Sequence, residues 1–268
     1  MTRFQRSGNI RHIMVRCGKN SNELMLIIIT NEEEIKNIDK IISLLTTEFN
    51  NLKSIIQNIN KKDTNIIMGD KCITLFGNEK IVDNIGNYKY NISPLSFYQV
   101  NPVQIEVLYT LAKEFANLKK EDYVFDLYCG IGTIGIFVAK QCKKVIGVEI
   151  VEDAIKDAKI NASLNNIENI EFYCGASEEI VPKLYESGIK ADVVFVDPPR
   201  KGCDEELLKT ISKMNARSIV YISCNVATLA RDLKFFVNNK YTIEKVQGVD
   251  MFPWTNHVET IASLSRKN

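Results

Sequence analysis

Short apolar runs and amphipathic segments alternate along the chain from Asp122 onward. A short run rich in β-branched residues is typical of a buried strand, and apolar residues at three- and four-residue spacing predict a helix. The pattern predicts strands at Tyr123–Leu127, Val145–Glu149, Ile170–Cys174, Val193–Val196, Ile219–Ile222, Ile243–Val249 and Val258–Leu264. It predicts helices between the first six of them, at Ile134–Lys140, Glu152–Asn165, Glu178–Tyr185, Glu205–Met214 and Thr228–Asn238.

This alternation determines the expected fold class. Parallel strands joined by helices form a sheet that is covered on both faces, as in α/β proteins. Only the loop of residues 250–256 separates the last two predicted strands, so we expect them to be antiparallel neighbours. The sequence therefore predicts an α/β domain with a seven-stranded, mostly parallel sheet and helices on both faces.

The residues before this region follow a different pattern. The apolar spacing from Glu32 to Phe49 predicts an amphipathic helix that is capped by Asn31. Strands are predicted around it, at His12–Arg16, Leu24–Thr30, Leu52–Ile59 and Cys72–Phe76. We expect a small α+β domain at residues 1–87 and the α/β domain at residues 88–268. A helix that begins at about Pro102 opens the second domain, because proline suits the first turn of a helix.

Bulk composition limits the class of protein without naming a partner. Of 268 residues, 45% are hydrophobic and 25% are charged, which is ordinary for a soluble globular protein. The formal net charge is +1, so RNA binding would require a local basic surface. Seven scattered cysteines without a CxxC pair, and only two histidines, argue against a structural metal site. We expect a cytoplasmic protein with reduced thiols and no membrane span.

A glycine-rich turn follows the strand that ends at Leu127. Gly130 and Gly132 belong to a GxGxxG pattern between a strand and a helix, where the backbone can approach a ligand closely. Glu149 ends the next strand, where a ribose diol would lie. The pattern fits a dinucleotide dehydrogenase, an adenosyl-cofactor methyltransferase or a turn without ligand. Asp126 ahead of the glycines favours the methyltransferase.

A rigid corner follows the wholly apolar strand Val193–Val196. Proline fixes φ, so Pro198 and Pro199 would hold Asp197 at the edge of a pocket. Asp-Pro-Pro is similar to a motif of methyltransferases that act on adenine, cytosine or protein amides, which usually continues with an aromatic residue. Here Arg200 follows, which argues against base stacking by this loop. The alternative is a turn that merely ends a strand.

Three further residues each have two possible roles. Cys224 follows a predicted strand at the sheet edge where α/β proteins bind ligands, so its thiol is either a nucleophile or a small buried side chain. Glu259 is either a general base or a solvated charge. Trp254, the single tryptophan, either stacks on a base or covers the core.

Taken together, these motifs resemble the RNA uracil-5-methyltransferase family, which includes enzymes that make 5-methyluridine in large-subunit ribosomal RNA and in the T-loop of tRNA. The matching stretches are SPLSFYQVNP, DLYCGIGTIG, VEI, DPPRKG, SCNVATLARDL and FPWTNHVET. They follow the family's order at about its spacing, and no dehydrogenase or adenine methyltransferase carries all six. The resemblance covers nearly the whole chain.

The resemblance implies a Rossmann-like class I methyltransferase fold and roles for particular residues. It implies Cys224 as nucleophile and Glu259 as general base. S-adenosylmethionine would be held by the residues that match the family's cofactor motifs, Gln99, Tyr128, Gly130, Gly132, Glu149 and Asp197. The target base would lie near Phe97, Gln99 and Asn225. Because a reactive thiolate needs a nearby cation, Arg231 is a candidate helper.

The chain departs from the family pattern in two respects. Val226 stands where proline often follows the Cys-Asn pair, which could loosen the turn that aims Cys224. Family members usually carry an N-terminal RNA-binding barrel, the TRAM domain, and many carry an iron–sulfur cluster. We therefore expect the chain to be the catalytic portion of a longer protein, the alternative being a naturally short one.

The expected partner is RNA, with 23S ribosomal RNA preferred and tRNA as the alternative, and the expected state is a monomer without a metal. A nicotinamide-dependent oxidoreductase and an RNA-binding module without activity stay open as other functions.

Overall fold

A computed structural model describes residues 8–267 of the chain. Contacts divide the protein into two compact units. The N-terminal unit comprises the residues up to Asn84 together with Lys89–Ser96. The C-terminal unit comprises Ile85–Tyr88 and the residues from Phe97 onward. The predicted division at residue 87 therefore falls in a segment where the chain passes between the units more than once.

The N-terminal unit is an α+β sheet. Its elements in the described residues are β1 (Ile10–Cys17), β2 (Leu24–Thr30), α1 (Ile38–Glu48), β3 (Leu52–Ile59) and β4 (Lys71–Gly77). The strand order is β1-β2-β3-β4, in which α1 connects the parallel pair β2 and β3. The apolar stripe of α1 packs on Ile28, Leu52 and Ile55. A hairpin of β5 (Ile81–Ile85) and β6 (Tyr88–Ile92) follows.

Helix α1 begins later than the apolar spacing predicts. The Gln57 side-chain amide donates hydrogen bonds to the carbonyl oxygens of Glu32 and Glu33, at 2.9 and 3.0 Å. Those oxygens are held in a bend, and the chain enters the helix only after Asn37, which has a φ of 57°. A tertiary contact thus overrides the local helical pattern.

The C-terminal unit contains the predicted alternation of strands and helices. Its first elements are α2 (Pro102–Ala116), β7 (Tyr123–Leu127), α3 (Thr133–Ala139), β8 (Lys144–Glu149), α4 (Glu152–Leu164), β9 (Ile170–Cys174) and α5 (Ser177–Glu186). They are followed by β10 (Val193–Val196), α6 (Glu205–Met214), β11 (Ser218–Ser223), α7 (Val226–Asn238), β12 (Tyr241–Val249) and β13 (Glu259–Arg266).

Within the described residues these strands form one sheet in the order β12-β13-β11-β10-β7-β8-β9. Strand β13 is antiparallel to β11 and to β12, and the other pairs are parallel. The predicted fold class and the antiparallel final pair are confirmed. Helices α5, α6 and α7 pack on one face, while α2, α3 and α4 lie against the sheet from the other.

The chain reverses its direction of travel across the sheet between β7 and β10. It leaves β7 towards β8 and β9 and returns to β10 on the opposite side of β7. Such a switch point opens a crevice at the carboxyl ends of the strands, where α/β proteins bind ligands. Every residue of β10 is buried, as its apolar sequence predicts for a central strand.

Candidate active site

A cavity of about 650 Å³ lies at this switch point, within the C-terminal unit. Its volume is in the range of cavities that bind small molecules and cofactors. Eight of the ten predicted site residues line it, namely Phe97, Gln99, Tyr128, Gly130, Glu149, Asp197, Cys224 and Glu259. The other lining residues are Val100, Ile150, Ala176, Ser177, Glu178, Pro198, Pro199, Arg200, Lys201, Phe252 and His257.

Strand register brings Cys224 and Glu259 together. In the antiparallel pair of β11 and β13, Ser223 lies opposite Thr260. The next position along the same register sets Cys224, just past the end of β11, beside Glu259, the first residue of β13. The Ser223 hydroxyl accepts the Asn225 N–H at 3.1 Å, which fixes a tight turn around Cys224. A thiol and a carboxyl group therefore face the same cavity from neighbouring strands.

Negative groups are concentrated around this thiol. Glu259 is only 3% exposed, and burial raises its pKa to about 7. The pKa of Asp197 is also raised, by burial first and then by Glu259 and Asp126. Burial, followed by Glu259 and Asp197, raises the pKa of the Cys224 thiol. Burial and the neighbouring acids thus favour the protonated forms of these groups, and added positive charge in the cavity would favour their ionised forms.

The cation beside the thiol is Arg200, which sequence reasoning did not assign to the site. Its guanidinium opposes the other influences by lowering the pKa of Cys224. The Asn225 side-chain amide and the Thr228 hydroxyl both donate to the carbonyl oxygen of Arg200, at 3.1 and 3.2 Å. These two bonds fasten the loop after Pro199 to the start of α7, next to Cys224.

Arg231, the predicted helper, does not occupy that place. Its guanidinium bonds the Asp232 carboxylate at 2.7 Å and the carbonyl oxygens of Lys201 and Cys203, at 3.0 and 3.3 Å. It is not among the residues that line the cavity. The expectation was wrong because the helical spacing of α7 turns Arg231 away from Cys224 and under the Arg200 loop.

A buried carboxylate completes the attachment of that loop. Asp232 is fully buried and accepts hydrogen bonds from the Cys203 N–H at 2.9 Å and the Tyr221 hydroxyl at 2.6 Å. A side chain at Gly202 would meet the Asp232 carboxylate at 2.6 Å, and the φ of Gly202 is 77°, so glycine is required there. Strand β11, helix α7 and the Arg200 loop therefore share one carboxylate.

Replacing Asp232 with alanine should destabilise the C-terminal unit by about 3 to 5 kcal/mol. The substitution leaves the Tyr221 hydroxyl and the Cys203 N–H buried without their acceptor. The free energy of unfolding from urea titration measures the loss. Asp232→Asn, which keeps one acceptor oxygen, should lose less, and equal urea midpoints for Asp232→Ala and the wild type would contradict this account.

Val226, which stands where the family often has proline, is the first residue of α7. The Asn225 side chain accepts the Ala227 N–H at 3.0 Å and so caps the helix, which begins at Val226 and not at the predicted Thr228. Proline would suit this first helical position, but the cap supplies the same ordering. Asn225 was predicted to lie near the target base, but it is not among the lining residues. Its amide nitrogen donates to the Arg200 carbonyl oxygen and its amide oxygen caps the helix.

The glycine-rich turn presents backbone groups to the cavity. Glu149 accepts the N–H groups of Gly130 and Val151, at 3.1 and 2.9 Å. Gly130 and Tyr128 both have left-handed φ values, 54° and 64°, which turn the chain sharply after β7. Gly132 does not line the cavity. A side chain at Gly132 would meet the Phe172 ring at 3.0 Å. Glycine at this position therefore allows the turn to pack closely against that ring.

Two buried oxygens near the turn have no hydrogen-bond partner in the described part of the chain. One oxygen of Asp126 accepts the Gly135 N–H at 2.7 Å, and the other is unpaired. Burial raises the pKa of Asp126 to about 7. The Ser177 hydroxyl, which lines the cavity at the start of α5, is also unpaired. Its only sequence signal is its position at the first residue of a helix after a strand.

The raised pKa of Glu259 makes stability depend on pH. The folded protein keeps the proton up to about pH 7, whereas the unfolded chain releases it near the ordinary glutamate pKa. Stability should therefore be highest below the ordinary pKa and fall by about 3 kcal/mol as pH rises through 7. Urea titrations at pH 5 and pH 8 should give a larger loss for the wild type than for Glu259→Gln. An equal pH dependence in both would contradict the prediction.

Comparison with known proteins decides the family. A profile described as tRNA (uracil-5-)-methyltransferase matches residues 36–267. The chain belongs to the tRNA (uracil-5-)-methyltransferase family. The resemblance seen in the six sequence stretches is thereby confirmed, and the oxidoreductase alternative loses its support.

The relatives are RNA methyltransferases. One from Clostridium tetani is 51% identical over 97% of this chain and 57% of its own length. One from Halalkalibacterium halodurans is 52% identical over the same shares, 97% and 57%. The crystal structure of Pyrococcus abyssi tRNA (uracil-54, C5)-methyltransferase in complex with S-adenosyl-L-homocysteine is 32% identical with a TM-score of 0.80, and covers 96% of this chain and 60% of that one.

These matches confirm the methyltransferase fold of this family member and are consistent with S-adenosylmethionine as its cofactor. The chain spans about 57% of the length of the curated relatives. Among residues 8–267, no helix combines the length and the apolar character that crossing a membrane requires.

Proposed function

We propose that this chain transfers a methyl group from S-adenosylmethionine to carbon 5 of a uridine in RNA. The observation that carries the proposal is the pairing of Cys224 with Glu259 in one cavity with the glycine-rich turn. A nucleophile and a base at adjacent strand ends can act on two neighbouring atoms of one ring. Membership of a uracil-5-methyltransferase family supports the same reaction.

The cavity suits S-adenosylmethionine because acidic side chains outnumber basic ones in its lining. Asp126 and Glu259 are buried and Asp197 is half-buried. All three carboxyl groups have raised pKa values, and one oxygen of Asp126 is unpaired. A ligand that carries a sulfonium and an ammonium group would offset this excess of acids. Glu149 would hold the ribose hydroxyls, and Asp197 and Gln99 would face the methionine portion and the methyl group. When bound, the cofactor supplies an electrophilic methyl group.

Cys224 would activate the uracil ring. Its thiolate adds to carbon 6, which breaks the ring's conjugation and leaves carbon 5 with the character of an enolate carbon. Carbon 5 can then take up the methyl group. Arg200 lies beside the thiol and favours its ionised form, which opposes the effects of Glu259 and Asp197.

Glu259 would complete the reaction. After methylation, carbon 5 carries both the new methyl group and its original hydrogen. The Glu259 carboxylate removes that hydrogen as a proton, the double bond between carbons 5 and 6 forms again, and the electron pair of the carbon–sulfur bond returns to the Cys224 thiolate. A pKa of about 7 suits a group that must accept a proton near neutral pH.

We propose 23S ribosomal RNA as the substrate, because the motifs resemble those of the ribosomal branch. Transfer RNA is the second candidate, because the Pyrococcus abyssi relative is a tRNA (uracil-54, C5)-methyltransferase. Mapping 5-methyluridine in both RNAs from cells that lack the gene distinguishes the two. The RNA that loses the modification is the substrate.

The reaction itself is tested with the 268-residue chain. Incubation with S-adenosylmethionine and a short RNA stem-loop with unpaired uridines should yield 5-methyluridine, which nucleoside mass spectrometry identifies. Methylation at another atom, or none although the protein binds S-adenosylhomocysteine, would contradict the proposal. The latter result would favour an RNA-binding module without activity.

A further inference from the structure

The loop between β12 and β13, residues 250–258, carries the protein's single tryptophan. Trp254 is 102% exposed, which excludes the expectation that it covers the core. Its φ of 65° lies in the left-handed region, which residues other than glycine rarely adopt. The largest aromatic side chain of the protein is thus held in solvent by an uncommon backbone conformation.

Hydrogen bonds within the loop keep Trp254 in that position. The Thr255 N–H and hydroxyl both donate to the Phe252 carbonyl oxygen, at 3.2 and 2.7 Å. The Thr255 hydroxyl also accepts the His257 N–H at 3.1 Å. Met251, fully buried, anchors the start of the loop. The exposure of Trp254 therefore belongs to an ordered turn.

The loop borders the cavity. Phe252 and His257 line it, and their rings stand edge to face with centroids 6.3 Å apart. Trp254 lies between them in sequence and projects outward from the same turn. The exposed residues Arg200 and Lys201 also line the cavity and give this rim positive charge. A loop with an exposed aromatic ring and cationic side chains thus border the same cavity, and aromatic rings together with cations bind unpaired nucleotides.

A uridine that enters this cavity must leave its own stack. Its neighbours in the RNA then lose a stacking partner and pass the rim of the cavity. An exposed aromatic ring replaces that partner without regard to base identity, because every base has a π-face. A solvent-exposed indole on the loop that borders the cavity provides such a surface.

We infer that Trp254 is a positioning residue that stacks on the unpaired base next to the target uridine. The inference rests on the proposed function, since it requires an RNA whose uridine occupies the cavity. Trp254 contributes to holding the RNA and takes no part in bond making. Its removal should therefore raise the KM for RNA and leave kcat nearly unchanged.

The single tryptophan allows a direct measurement. The probe is a short single-stranded RNA with one uridine flanked by adenosines, added to the protein with S-adenosylhomocysteine. Stacking should quench the tryptophan emission of the wild type. Trp254→Ala should bind this RNA about tenfold more weakly, and Trp254→Phe should recover most of the affinity. Ile160→Ala, which removes an exposed apolar side chain from α4, is the control and should bind as the wild type does.

A second RNA isolates the stacking contact. When the nucleotides that flank the uridine lack their bases, the wild type and Trp254→Ala should bind equally. If the wild type methylated RNA normally while its emission was not quenched, and Trp254→Ala bound RNA as tightly as the wild type does, the inference about Trp254 would be overturned. The proposed function would then be left standing. A wild-type protein that neither binds nor methylates either RNA would overturn the proposed function and this inference with it.

Discussion

Replacing Cys224 with alanine should abolish methylation of RNA, with a loss of at least about 10,000-fold in kcat. Without the thiolate, carbon 5 of uracil is a poor nucleophile, and no other lining residue of the cavity carries a thiol. The rate of 5-methyluridine formation in a single-turnover assay measures the effect. Binding of S-adenosylhomocysteine should persist, because Asp197 and Glu149, which we propose hold the cofactor, remain in place.

Cys174 supplies the matched control for this substitution. It ends β9 as Cys224 follows β11, at the same edge of one sheet, but it is exposed and does not line the cavity. Cys174→Ser should therefore methylate RNA at the rate of the wild type. If Cys224→Ala retained that rate as well, the covalent role of Cys224 would have to be abandoned.

Replacing Glu259 with glutamine should slow turnover by about 100- to 10,000-fold and should accumulate a covalent complex of protein and RNA. An amide cannot take the proton from carbon 5, so the ring cannot expel Cys224 after methylation. A denaturing gel with labelled RNA detects the complex as a band of reduced mobility.

The double variant Cys224→Ala with Glu259→Gln is the control and should give no such band. A Glu259→Gln protein that releases methylated RNA at the wild-type rate would exclude Glu259 as the base. A band that persists in the double variant would point to another nucleophile in the chain.

The order of strands and helices in the C-terminal unit could be predicted from sequence because local patterns encode it. Apolar runs such as Val193–Val196 are buried on both faces, and the short loop before β13 allows only a return beside its neighbour. The pattern contains less information about helix ends. The start of α1 moved because Gln57, far along the chain, binds the carbonyl oxygens that would otherwise continue the helix.

The site was predictable as a list of motifs but not as an arrangement. Cys224 lies beside Glu259 because β13 enters the sheet between β11 and β12. The sequences of these strands do not by themselves encode that order. The exchange of Arg231 for Arg200 has a similar cause. Arg231 is close to Cys224 in sequence, and Arg200 belongs to the Asp-Pro-Pro motif. The sequence does not show that the Arg200 side chain points to Cys224 and the Arg231 side chain to the Lys201 carbonyl oxygen. The capping role of Asn225 did have a signal, since asparagine favours that position.

The central claim is that Cys224 bonds to carbon 6 of the uridine that becomes methylated. A uridine with fluorine at carbon 5 tests it most directly, because Glu259 can remove a proton from that carbon but cannot remove fluorine as a cation. After reaction with S-adenosylmethionine, the complex should persist, and peptide mass spectrometry should find the methylated fluorouridine on Cys224. Attachment to any of the other six cysteines, or no attachment while ordinary uridine is methylated, would contradict the mechanism.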